Sequence, residues 1–434
     1  MMSTENDDYF FIFLGKNNFI RKFAPMIKKA FIVSTLTLLT LSATAQQKEA
    51  RVSLTVSNPE RVQRQEVVGT DAMEIYRRLG VKAGTGLVVK NALGQEVAYQ
   101  LTYDGQLLID AAVRPLGKAV FTVTTGTPTK FETIVSGKQY PERVDDIAWE
   151  NDRTAYRIYG PALQRNKERA FGVDVWVKNT PDLEVEKRYQ TELSNHPIIA
   201  QLKAEGKAEE ALLAEQLTTY HYDHGRGLDC YKVGPSLGGG APALMDGERL
   251  IMPYCYSDYQ ICDNGPLRFT VSVTYNPATI RGQEGVVEHR IISLDKGQNF
   301  NRCTVWYEGL QHPERLAMGV VLHEEELNDV YLGKDMVLYA DPTDNPAGQN
   351  FQIYVGALFP EGVSETRQLL DSPRQNGIAG HAVGITDYQP GAHYTYYFGS
   401  AWSKNDVRTF DEWKLRSEQT LRALAQPLTV TINP

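Results

Sequence analysis

TGLVVKNALGQEVAYQLTYDGQLLIDAAV, residues 85–113, decides the class of fold. Leu87 to Lys90 is a short apolar run, and Asn91-Ala92-Leu93-Gly94 is a turn. A second run leads to Asp104-Gly105, and a third follows from Gln106. Short runs of this kind, parted by tight turns of Asn, Asp and Gly, predict antiparallel hairpins. Working outward, Val52, Leu54 and Val56 alternate with polar residues, and Ala119 to Thr125 repeats the alternation. Residues 69–80 (GTDAMEIYRRLG) read as a short helix or loop. Beyond Arg249 the runs RLIMPYCYSDYQICDNGPLRFTVSVTYNP, LAMGVVLH, MVLYADP, NFQIYVGALF, HAVGITDY and HYTYYFGSAW continue at roughly regular spacing. Many such strands predict an all-β fold, a large antiparallel β-sandwich. The period changes at about 192–216, where a charged, Ala-rich background predicts a helical insertion, and again at Thr409–Leu424, an amphipathic helix.

The N-terminus reads as a leader. Met26-Ile27-Lys28-Lys29 is basic, Ala30–Leu41 is apolar, and Ala43-Thr44-Ala45 is a small-residue cleavage pattern before Gln46. The apolar run is shorter than the roughly 20 residues that span a bilayer. Residues 1–45 are therefore expected to be an upstream start plus a signal peptide, with export to the periplasm or beyond. Residues 46–434 are expected to form one β domain without a membrane span. Removing the leader takes away five basic and three acidic side chains and moves the formal charge from −8 to −10. Such an acidic chain argues against nucleic acid as partner. Cys230, Cys255, Cys262 and Cys303 allow three disulfide pairings, and nothing in their spacing chooses among them.

The stretch Thr218–Pro242, TTYHYDHGRGLDCYKVGPSLGGGAP, departs from plain strand pattern. Read as extended from Thr218 to His224, it puts Tyr220, Tyr222 and His224 on one face and His221 and Asp223 on the other. Phenol and imidazole groups suit proton transfer on a sugar. Arg226 and Asp229 lie beyond Gly225, and an arginine there can hold a carboxylate. Gly238-Gly239-Gly240 permits close backbone approach to a ligand. A second cluster, Trp149 to Arg157, offers Glu150 as carboxylate base, Arg157 as a cation and Trp149 as a stacking ring. Asn264, Arg268 and Tyr394 complete the expected binding groups. His196, His289, His312, His323 and His381 carry no local context and are read as structural. No HExxH, CxxC or phosphate loop occurs, so neither a metal nor a cofactor is called for.

ERVDDIAWENDRTAYRIYGPAL, YHYDHGRGLDCYKVGPSLGGG and NGPLRFTVSVTY resemble the hallmark segments of domain-of-unknown-function family 4861, and the resemblance runs from about Val52 onward. IISLDKGQNFNR is similar to a strand–turn–strand of mutarotase-like sandwiches. The resemblance implies a supersandwich like that of galactose mutarotase and exported proteins of Bacteroidetes polysaccharide-utilisation loci. It implies a role near the breakdown of uronate-rich glycans and names no reaction.

The expected function is cleavage of a uronate-containing oligosaccharide by β-elimination. Arg226 or Arg157 would neutralise the sugar carboxylate, His221 or His224 take the proton, and Tyr220 or Tyr222 protonate the leaving oxygen. The alternatives are hydrolysis by Glu150 with Asp223 or Asp229, epimerisation or mutarotation by a His–Glu pair, and a non-catalytic glycan binder using Trp149, Tyr394, Tyr396 and Trp402.

Overall fold

The computed structural model describes residues 50–323, 329–342, 350–375 and 377–433. The leader expected at 1–45 lies outside them. Among the described residues every strand pairing is antiparallel, apart from one isolated parallel bridge between Val173 and Gly238. The all-β sandwich with a helical insertion and a C-terminal helix is what the chain forms. No helix among the described residues is long and apolar enough to cross a membrane.

The hairpins of residues 85–113 build a small sandwich with a core of its own. Strands Arg51–Ser57, Lys118–Thr125 and Leu87–Asn91 join the final strand Thr429–Asn433 in one sheet, and Arg64–Asp71, Gln106–Val113 and Tyr99–Leu101 form the second. Between them lie Val52, Leu54, Val56, Leu87, Val89, Leu107, Ile109 and Val123, the residues that the alternation turns inward. Helix Ala72–Leu79 closes one side. Asp71 caps it by accepting from the Met73 and Glu74 amides, and Gly80 ends it at φ +68°, where a side chain would be strained.

The larger body has two layers. A nine-stranded sheet includes Tyr256–Asn264, Arg268–Tyr275, Gln283–Asp295, Phe300–Glu308, Tyr394–Trp402, Ile353–Leu358 and Met336–Asp341. Facing it are two five-stranded sheets. One is built on Pro242–Asp246, Glu314–Leu322 and Ile378–Tyr388, the other on Gly227–Asp229, Asp174–Lys178, Thr154–Ile158, Asp146–Glu150 and Ser136–Tyr140. One large apolar core unites them.

The glycine run 238–240 stitches the facing sheets together. A Cβ on Gly238 would lie 2.1 Å from the Val173 carbonyl oxygen, and one on Gly240 would lie 2.2 Å from Phe398 Cβ. The close approach that the run permits is thus to neighbouring strands of this chain.

The insertion is a helical hairpin, Val185–Ala204 and Ala208–Thr218, longer at both ends than the 192–216 expected. It corrects the reading of Thr218–His224 as a strand. The second helix runs through Thr218, turns follow, and only Gly227–Asp229 is extended. The charged residues before Thr218 continue the helix because their side chains reach solvent, so no alternating face is needed there. Helix Phe410–Ala425 packs Trp413 against Phe300, rings stacked 4.8 Å apart, on the outer face of the long sheet.

Candidate functional site

The five-stranded sheet ending in Gly227–Asp229 has two unlike faces. Trp149, Tyr156, Ile158, Val175 and Val177 point into the large core. The opposite face carries Asp146, Arg157, Asp174, Trp176 and Asp229, which the antiparallel register sets side by side: Asp174 faces Arg157, and Trp176 faces Asp229. The helical hairpin covers part of this face with Val185 and Tyr189, and the turn after it adds Tyr220.

Arg157 is the centre of that face. Its guanidinium lies 2.5 Å from Asp174, 3.1 Å from Asp229 and 3.6 Å from Asp146, and Tyr159 and Trp176 flank it at 5.1 and 5.3 Å. Three buried carboxyls share one buried cation. Burial holds Asp146 up to about 6 against the pull of Arg157. Burial, then the neighbouring Asp174 charge, raises Asp229. His221 sits at the rim, 55% exposed, its Nδ1 2.9 Å from the Asp229 carbonyl oxygen and 3.8 Å from the carboxylate.

A second cluster adjoins the first through Tyr231, two residues past Asp229. Burial raises its phenol well above the ordinary range, and the charges of Asp341 on one side and Asp174 on the other add to the effect. The Tyr231 ring meets the His323 ring edge-on at 6.0 Å. His323 Nδ1 lies 2.7 Å from Asp341 Oδ2, and the His323 amide donates to the Tyr339 hydroxyl. This contact makes Nδ1 the donor and leaves the lone pair on Nε2. Three polar atoms here are buried with no hydrogen-bond partner among the described residues: His323 Nε2, Asp341 Oδ1 and the Tyr231 hydroxyl. Each such atom costs about 1–3 kcal/mol unless something binds it. Nearby, His381 Nε2 accepts from the Leu237 amide, and burial pushes its imidazole down to about 3.

The other expected site residues fall elsewhere. Tyr220 is buried, stacked on Trp176 at 4.6 Å and hydrogen-bonded to Arg143. Tyr222 is 53% exposed, and the exposed His224 lies 2.9 Å from the Thr219 carbonyl oxygen through Nε2. Asp223 pairs with Lys404. Glu150 is buried beneath the helical hairpin. It accepts from the Glu184 and Val185 amides at the first turn and takes Lys178 at 2.5 Å, so its carboxylate is a helix cap rather than an exposed base. Arg226 is held by Glu184 and Asp182. Trp149 is fully buried between Tyr156 and Phe269 and donates to Asn301, which leaves no ring face for a sugar. Asn264 bonds both backbone groups of Gly137, Arg268 forks onto Asp295, and Tyr394 donates to the Gly362 carbonyl. Of the expected residues, Arg157, Asp229, His221 and Tyr220 come together around one face.

His323, Asp341 and Tyr231 were missed by reading local context. The signal lay in strand ends: LAMGVVLH and MVLYADP are apolar runs, each closing on one titratable group. Strands buried on both faces have no use for such a group unless it meets another. Among the described residues, no group of three His, Cys, Asp or Glu side chains could hold a metal ion. Burial pushes the Cys255 and Cys303 thiols up to about 11 each.

Comparison with known proteins agrees with the extent of the fold. The family model described as Domain of unknown function (DUF4861) matches residues 56–430. Uncharacterized protein P7 of Formosa agariphila is 26% identical over 303 residues, 67% of this chain and 68% of that protein. Two solved structures from Enterococcus faecalis, an alpha-mannosidase and a protein in the glycosyl hydrolase family 38, superpose at a TM-score of 0.47 and 8% identity. They cover 89% of this chain, which spans only about half of theirs, 46% and 48%.

Proposed function

The chain belongs to the DUF4861 family, whose description carries no reaction, and we propose from the site geometry that it is a carbohydrate-active enzyme working by general acid–base chemistry. The observation that carries this reading is the His323–Asp341 pair beside Tyr231, with an imidazole nitrogen and a phenol both buried and unpartnered among the described residues. Asp341 orients the imidazole and stabilises its charged form, as a carboxylate does for any histidine base. Tyr231 keeps its proton at neutral pH because burial raises it. A base and a proton donor are thus placed side by side.

This pairing favours elimination over hydrolysis. Two-carboxylate hydrolysis needs two carboxyl groups free to face the scissile bond. Asp146, Asp174 and Asp229 are turned onto Arg157, and Glu150 onto a helix end. In elimination His323 takes the proton from the carbon beside a sugar carboxylate. That electron pair forms the new carbon–carbon double bond, the bond to the leaving oxygen breaks, and Tyr231 protonates that oxygen. Only a uronic acid makes the first proton acidic enough, so the substrate is a uronate-containing oligosaccharide. Arg157 is not the group that neutralises its carboxylate, because three acids already surround it. The leader pattern at residues 26–45 supports action outside the cytoplasm.

The test is incubation of the chain from Gln46 with a panel of uronate-containing oligosaccharides. Ultraviolet absorbance reports an unsaturated uronate, and mass identifies the products. An absorbing product of unchanged total mass is expected. Products that gain one water without absorbance would replace elimination by hydrolysis, and saturable binding without any product would replace the enzyme by a binder.

A further inference from the structure

A groove of about 820 Å³ runs between the small N-terminal sandwich, the outer face of the long sheet and helix Phe410–Ala425, away from His323 and Arg157. Seven arginines line it against three carboxylates, Glu60, Glu66 and Asp295, in a chain whose formal charge is −8. Four of the arginines are paired. Arg64 lies against Glu66, Arg268 forks onto Asp295, and Arg153 and Arg416 share Asp406. The other three, Arg61, Arg302 and Arg422, have no carboxylate within ion-pair distance among the described residues. The groove therefore carries about three uncompensated positive charges, and clefts of one sign concentrate ions of the other.

We propose that this groove binds an anionic saccharide chain through its carboxylate or sulfate groups. The paired arginines are pre-set for such a ligand. Asp295 holds Arg268 through two contacts of 2.5 and 2.8 Å, Asn299 accepts from Arg416 at 2.8 Å, and Arg153 keeps a buried Nε with no partner among the described residues. Arginines fixed in this way lose little entropy on binding an oxyanion. The strands then add a row. Ser293, Arg302 and Tyr397 stand abreast on three neighbouring strands, by the pairings Ser293 with Arg302 and Arg302 with Tyr397. That row offers a hydroxyl, a cation and an aromatic ring to one sugar unit. Gln63, Gln65, Gln298 and Gln419 supply amides between the charges. Hydrogen-bonding groups interleaved with cations match a ligand dense in hydroxyls. A single-stranded nucleic acid would need several stacking rings, and the groove's half-buried aromatic is Tyr397. The inference is independent of the reaction proposed above, since it uses none of the same residues.

The test is calorimetric titration of the chain from Gln46 with a galacturonate hexasaccharide, a chondroitin sulfate hexasaccharide, a neutral glucan hexasaccharide and a short single-stranded DNA. The carboxylated and sulfated probes distinguish the two sources of charge. At least one should bind, more weakly as salt rises, while the neutral glucan does not. The double substitution Arg302→Ser with Arg422→Ser should weaken that binding by about tenfold or more, with an unchanged unfolding midpoint. His323→Gln should leave it intact. Equal binding of the neutral glucan, tighter binding of DNA, no binding of either anionic saccharide, or unaltered affinity in the double variant would each overturn the proposal. Loss in His323→Gln with affinity kept in the double variant would also overturn it, by moving the ligand to the acid–base site.

Discussion

His323 Nδ1 lies 2.7 Å from Asp341 Oδ2, although the two residues sit on different sheets of the sandwich. His323 follows strand Glu314–Leu322 in one layer, and Asp341 ends strand Met336–Asp341 in the other. The contact joins the two layers at the ends of their strands. It fixes the proton of the imidazole on Nδ1 and leaves Nε2 buried, where no hydrogen-bond partner meets it among the described residues. A pair that only held the layers together would gain most by satisfying every buried atom. Here Nε2, Oδ1 and the nearby Tyr231 hydroxyl are left over, which is the arrangement a substrate would complete.

Arg157 is the structural centre of the adjoining face, and its removal leaves three buried carboxyls unpaired. Arg157→Leu is expected to destabilise the protein by about 3–5 kcal/mol. The measurement is equilibrium unfolding in urea near neutral pH. The defect should shrink toward acid pH, because protonation relieves the stranded carboxyls. A loss of under about 1 kcal/mol would mean that solvent reaches the cluster more freely than its burial indicates.

Glu150 is expected to matter for folding rather than for turnover. Glu150→Ala removes the cap on the first turn of helix Val185–Ala204 and strands Lys178, whose ammonium is buried and already pushed down by that burial. The expected cost is about 3–5 kcal/mol, read as a lower unfolding midpoint. Turnover per folded molecule should stay within about threefold. A full-stability variant with no turnover would return Glu150 to the catalytic role that its place in the sequence suggested.

His381 predicts a specific acid sensitivity. Its folded-state pKa is depressed to about 3 from an ordinary 6.5, so the folded protein keeps it neutral while the unfolded chain takes up a proton. Its contribution is fully present above pH 6.5 and is lost as the pH falls from there toward 3, by up to about 5 kcal/mol. His381→Gln keeps an acceptor for the Leu237 amide and cannot titrate. Stability measured from pH 7 to pH 4 should fall less steeply in this variant than in the parent. Equal slopes would show that His381 titrates normally.

The fold was largely legible in the chain because its strands are regular. Val52, Leu54 and Val56 alternate and are buried, and the Asn91–Gly94 and Asp104-Gly105 turns stand where their chemistry put them. The site was legible only in part. Arg157 and Asp229 were found as charged residues in two unusual stretches, but their meeting depends on strand register, which local pattern does not reveal. Tyr220 and His224 were misplaced together, since a helix running through Thr218 removes the shared strand face. Trp149 and Glu150 have the chemistry of a site and the burial of a core. His323 and Asp341 gave no local sign because each is a single polar residue closing an apolar strand, and their relation exists only across the two layers.

The central claim is tested most directly by comparing turnover of the parent protein, His323→Gln and His224→Ala on the uronate oligosaccharide that the parent converts fastest, followed by absorbance of the unsaturated product. The expected result is a loss of about 10²–10⁴-fold in His323→Gln with the fold intact, and a change of less than about twofold in His224→Ala, whose exposed ring lies against the Thr219 backbone carbonyl. Turnover kept in His323→Gln, or no unsaturated product from the parent on any uronate oligosaccharide, would contradict the account.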